Sequence, residues 1–222
     1  YRDGNNYSIY THDVSGTDST AQYNSAYGLT ALDAITTGDN NSAFGYGALG
    51  ANNTGARNTA VGYQALLTNA ATSGNTAVGK DALKVSVADY NTAVGDGALA
   101  ANTTGASNVA LGRLALTANT TASSSTAIGA SSLAANTTGD ANTAIGKDSL
   151  DSNTTGARNT AIGVDALQAN TTTNDNTAVG YEALTLNTAA NNTAVGKGAM
   201  AANTTGADNV AVGQLALSAN TT

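Results

Sequence analysis

The sequence predicts an all-β chain, a parallel β-solenoid of about twelve 17-residue coils, on three observations. One unit, Asn-Thr-Ala-Val-Gly-x-x-Ala-Leu, recurs throughout, in clean form at Asn58–Leu66, Asn75–Leu83 and Asn176–Leu184. Its glycines run from Gly28, Gly45 and Gly62 to Gly213 at one constant spacing, shortened by a single residue only at Gly79–Gly95 and Gly180–Gly196. Between units the chain runs through Asn/Thr/Gly turns such as Ala101–Gly105, Ala135–Gly139 and Ala202–Gly206. Pieces this short between turns suit strands, whereas helical repeats need roughly 30 or more residues per unit.

The elements follow in chain order. Residues 1–23 lie outside the pattern and are rich in tyrosine, which suggests a cap or docking segment. From residue 24 onward each coil opens on Asn-Thr-Ala-Val or a close variant, whose β-branched residues favour a pleated surface. Gly then turns the chain into a second short piece, x-x-Ala-Leu, which also reads as a strand. Each strand is expected to pair in parallel with its equivalent one coil on, so that like residues stack over like. No coil buries an apolar face alone, but a stack of them makes one continuous core. A longer period overlies the coils: Gly95–Thr121 and Gly196–Thr222 agree at 21 of 27 positions, and the two shortened coils lie 101 residues apart. The repeat domain, 24–222, therefore divides into two six-coil blocks, about 24–121 and 122–222.

The repeat overrides the composition. Leu, Val, Ile and Phe make up 35 of 222 residues, about 16%, a level at which ordinary chains remain disordered. Here they return at two places in every coil, the fourth and ninth positions. A large fourth residue pointing inward puts the third-position alanine on the opposite face, because strand side chains alternate. An outward alanine column suits a closely packed neighbour. Ala60, Ala77, Ala93, Ala110, Ala144, Ala161, Ala178 and Ala194 are thus the candidate interface of a homo-oligomer, either a side-by-side trimer or a head-to-tail filament. In the filament, Tyr1, Tyr7, Ile9 and Tyr10 would dock onto the open end of the next subunit, since a solenoid end exposes a strand edge.

Several functions are disfavoured at once. The chain has no Cys and a single His, His12, which removes thiolate chemistry and leaves little for a triad or a multi-His metal site. A net charge of −7 with eight scattered basic residues argues against nucleic acid. No run of about 18 apolar residues spans a bilayer. The string Gly45–Gly50 matches GxGxxG but sits inside a coil of the repeat, away from any strand-turn-helix unit. Acidic residues form no column. We therefore expect no catalytic residues, no metal, no cofactor and no enzyme activity.

The sixth and seventh positions vary most, and a variable stripe on a rigid scaffold is where a ligand contact would lie. Tyr46, Tyr63, Lys80, Arg113, Lys147, Tyr181 and Lys197 are the candidates. Sequons at Asn102, Asn136 and Asn203 come free with the turn, where Asn and Thr bond to local backbone. Threonine ladders on a β-solenoid can match an ice lattice. The second-position column, Thr59 to Thr193 with Val109 among them, is only one Thr wide, and a strand with two outward Thr would be expected.

The Asn-Thr-Ala-Val/Ile-Gly-x-x-Ala-Leu unit resembles the head repeats of trimeric autotransporter adhesins, Hep/Hag-like units of the form Asn-Ser-Val-Ala-Ile-Gly. Arrays like Asn58–Leu66 also resemble repeats of phage tail-fibre-like proteins. The resemblance runs from Asn24 to Thr222. It implies a left-handed β-roll with three chains side by side, and an extracellular fibre that adheres to a host-surface protein or glycan. The period here is longer than that of the adhesin coil. The expected function is a non-enzymatic structural or adhesive rod that partners itself. A phage tail-fibre segment or an ice-binding solenoid is the alternative.

Overall fold

A computed structural model describes residues 9–10 and 20–221. Among the described residues thirteen strands form one sheet in chain order, from β1 (Ile9–Tyr10) and β2 (Ser25–Tyr27) to β13 (Val210–Val212), each parallel to the next. The register is the expected one: Thr160, Ala161 and Ile162 face Thr177, Ala178 and Val179 one coil on. The fold is an all-β parallel solenoid, each coil advancing by the spacing that separates Thr160 from Thr177. The two shortened coils keep the register too, since Thr76 still faces Thr92 and Thr177 faces Thr193. Their missing residue falls in the turns around Val87–Tyr90 and Thr188–Asn191, where no strand register depends on it.

Each coil holds one three-residue strand, where two were expected. The x-x-Ala-Leu piece is a chain of turns. Its seventh and ninth residues are left-handed, as at Asp148 (φ 54°) and Leu150 (φ 50°), so the backbone cannot extend. Hydrogen bonds still tie it to both neighbours. The Asp148 N–H donates to the Ala130 carbonyl of the coil before, and the Leu150 N–H donates to the Ala166 carbonyl of the coil after.

The strand faces the opposite way to the one expected. Ala60, Ala77, Ala93, Ala110, Ala144, Ala161, Ala178 and Ala194 are all 0% exposed, enclosed by their own chain. They cannot form an interface between copies. The large fourth-position residues point out instead: Phe44, Val61, Leu111, Ile162 and Val195 are 36–45% exposed. The reason is the first-position asparagine, which shares the alanine's side of the strand. Its amide must reach inward to close the coil. Asn41 Nδ2 donates to the Gly55 carbonyl at 2.8 Å across the coil, and the Asn58 N–H donates to Asn41 Oδ1 at 3.0 Å from the coil above. With asparagine inside, the third residue is inside too.

A second buried asparagine column lies at the twelfth position, where Asn153 Nδ2 donates to Asn136 Oδ1 at 2.8 Å and to the Gly156 carbonyl at 2.9 Å. The core between these columns is narrow. It holds the two alanine (or serine) columns and the ninth-position leucines, including Leu49, Leu99, Leu133 and Leu167, with Met200 taking one rung. Tyr10 stands in register with Ala26, fully buried over the first coil.

Because these leucines are left-handed, shape matters beyond volume. Leu133 has φ 51°. A left-handed L-residue costs about 1–2 kcal/mol, and a β-branched side chain there costs more. Leu133→Ile keeps the volume, and such swaps ordinarily cost under about 1.5 kcal/mol. Here the expected loss is larger, about 2–3 kcal/mol, read as a lower urea midpoint than that of Leu133→Met.

Candidate functional site

Inverting the strand changes which residues the rod offers outward. The second and fourth positions now share one face, so every strand from β2 to β13 presents two side chains to solvent, Thr and Val in the commonest case. No charged residue occurs in either column along those strands. Sequence reasoning missed this face because it assigned the fourth column to the core. The buried asparagine two residues before the alanine was the signal that could have found it.

The sixth-position stripe lies beside this face, across the corner made by the fifth-position glycine. Tyr46, Tyr63, Lys80, Arg113, Lys147, Tyr181 and Lys197 are all exposed, as expected for a stripe. They do not converge on one pocket. Tyr46 and Tyr63 stack on each other, with ring centroids 5.4 Å apart and planes 14° from parallel, so each covers one face of the other. Lys197 Nζ sits 5.7 Å from the centre of the Tyr181 ring. Lys80 pairs with its neighbour Asp81 at 2.8 Å, and Lys84 reaches the same carboxylate at 3.2 Å. Lys147 pairs with Asp148.

These exposed pairs hold their own charges. The hydrogen bond from Lys80 keeps the Asp81 carboxyl below its ordinary range, and Asp81 in turn raises Lys80. Arg158 holds Asp175 low through a hydrogen bond of 2.7 Å between neighbouring coils. Exposed pairs of this kind contribute little to stability.

Asp151 differs. Burial, foremost, raises its carboxyl above the ordinary value, and Asp148 and Asp165 add to this while Ser152 opposes it. The folded state therefore holds this proton more tightly than the unfolded chain does. Ionised Asp151 opposes folding above its raised pKa, and that penalty fades as pH falls through it toward the ordinary carboxylate value. Asp151→Asn should therefore stabilise at pH 7 and lose its advantage near pH 4, as melting curves at the two pH values would reveal.

The sequon asparagines Asn102, Asn136 and Asn203 are fully buried, each with Nδ2 donating to a glycine carbonyl three residues on. In the folded rod none offers its amide for glycosylation. Turn threonines serve the ladder: the Thr137 hydroxyl donates to the Thr154 carbonyl at 3.0 Å. A shallow open recess of about 300 Å³ lies over Glu182, Thr185, Leu186, Ala201, Ala202 and Ser218.

Tyr1, Tyr7 and His12 fall outside the described residues. Of the end-docking candidates, Ile9 is 61% exposed and Tyr10 is buried beneath the first coil, so Tyr10 acts on its own chain. Among the described residues, no group of three His, Cys, Asp or Glu could hold a metal ion, and no helix is long and apolar enough to cross a membrane. In comparisons with known proteins the chain matches no family model, no curated protein and no solved structure.

Proposed function

We propose that this chain is a non-enzymatic structural or adhesive module, a rigid extracellular rod that joins copies of itself, end to end or side by side, and offers its long sides for attachment. One observation supports the reading best. A single parallel ladder runs from Ser25 to Val212 without a break in register, through twelve successive strands. Every coil is held by its neighbours through backbone bonds, and two asparagine columns, interrupted at Ile35, Ser86 and Ser125, add to these, so bending or opening at one point costs contacts on both sides. Such a ladder leaves a protease few segments to extract, which suits a part exposed outside the cell. The sixth-position stripe, with its tyrosines and lysines at fixed spacing, is the side from which a host-surface protein or glycan would be held.

Electron microscopy with light scattering tests the proposal. Filaments or bundles, and a mass of several chains, are expected. Isolated rods of roughly 60 Å with the mass of one chain at all concentrations would sink it.

A further inference from the structure

We infer that the sheet face binds ordered water, the surface of ice, through two ranks of threonine and valine or isoleucine. The second rank exists only because the alanines turn inward. From Thr59 to Val195 the outward residues of nine consecutive strands are Thr, Val or Ile, with Leu111 the one exception. No rank carries a charge.

The chemistry of the face is that of a lattice template. Threonine, valine and isoleucine are stiff at χ1, so their methyl groups hold fixed positions. Strand spacing sets neighbours within a rank about 4.8 Å apart along the rod, and the two-residue step sets the two ranks roughly 6.6 Å apart across it. The first lies near the a-axis repeat of hexagonal ice, and the second falls somewhat short of its c-axis repeat. Among the described residues no hydrogen bond engages the hydroxyls of Thr143, Thr160 and Thr177, whereas the turn threonine Thr137 is bonded to the next coil. Those hydroxyls can join a water layer that the neighbouring methyl groups confine.

A protein partner fits this face less well. The nine-strand strip covers on the order of 400 Å², about half of the roughly 800 Å² that each partner commits to a stable complex. Those nine strands carry no aromatic or arginine anchor of the kind that dominates protein interfaces, and the two aromatics of the face, Tyr27 and Phe44, stand together at one end of it. Apart from Val109 and Leu111 its relief repeats from coil to coil, which a lattice matches and an irregular surface does not. Ice binding stands apart from self-assembly, because the rod has other sides by which copies can join.

Adsorption to a growing ice hemisphere and thermal hysteresis test the inference on the intact chain. The folded wild type should enter the ice and facet its crystals. Thr143→Lys/Thr160→Lys should lower adsorption at least tenfold, with circular dichroism unchanged. Thr143→Ser/Thr160→Ser, which removes only the methyl groups, should lower it several-fold and guards against misfolding in the first variant. Thr138→Lys, on an exposed turn away from the sheet, should behave as wild type. Exclusion of the folded wild type from ice overturns the inference, as does full adsorption by both face variants. So does an oligomer that the lysine variant splits into single chains, since the face would then join copies. Filaments excluded from ice would leave the fibre reading standing and sink this one, and single rods that adsorb would do the reverse.

Discussion

Gly129→Ala is expected to be among the most damaging single substitutions in the rod, lowering stability by at least about 3 kcal/mol. Gly129 has φ +134°, a conformation that residues with a Cβ rarely adopt. An added Cβ would also stand 2.5 Å from the Gly146 carbonyl oxygen and 2.6 Å from its carbon, both backbone atoms of the next coil. No flexible side chain can move aside to relieve this. The same contact recurs from Gly28 to Gly196, each glycine against the next, which explains the invariance of the fifth position. Nearest-neighbour coupling makes the damage local first. The boundary between these two coils should open before the rest of the rod, so limited proteolysis should cut between residues 129 and 146. Gly97→Gln is the contrast. Gly97 has φ +66°, Gln64 and Glu182 hold the same place in their coils at φ 54°, and an added Cβ would meet only the movable end of the Leu114 side chain at 2.8 Å, so that substitution should cost less, about 1–2 kcal/mol. Urea midpoints of the two variants give the comparison.

Asn142→Leu should cost about 3–5 kcal/mol although the new side chain is apolar and of similar size. Asn142 Nδ2 donates to the Gly139 carbonyl at 3.0 Å and to the Gly156 carbonyl at 2.7 Å, and its Oδ1 accepts the Asn159 N–H at 2.9 Å. Both glycine carbonyls keep a second donor, from Asn136 and Asn153. The buried Asn159 N–H loses the acceptor it has, and an orphaned donor costs about 1–3 kcal/mol by itself. Asn142→Ser should cost less, because Ser125 fills the equivalent place one coil earlier and accepts the Asn142 N–H at 3.2 Å. Hydrogen exchange at the Asn159 amide separates the cases: protection should fall sharply in the leucine variant and partly in the serine variant. Equal protection in all three proteins would refute this account of the asparagine column.

The coil was legible in the sequence because stacking writes itself as period. Glycines one coil apart, each touching the next, leave no freedom in which strand pairs with which. The parallel register, the in-line order of the strands and the turns between them all follow from it. The second element was misread because Ala-Leu after two variable residues has the composition of a strand. Its left-handed leucines carry no sequence mark, since leucine rarely adopts that conformation and coil-to-coil bonds hold it there. The candidate stripe was legible as a surface, but a list of variable residues does not reveal that Tyr46 turns its face to Tyr63 or Lys80 its charge to Asp81.

Period, pairing and the thinness of the core are all written in the order of the residues. Which side of the strand faces in depends on how the folded coil closes. Alternation allows two answers, and hydrophobicity favours the wrong one, with valine inside and alanine outside. Closing a coil this narrow requires an amide that spans it and bonds its neighbours. Asparagine therefore takes the inside, alanine follows by parity, and the β-branched residues are left on the surface, where they make the face inferred to bind ice.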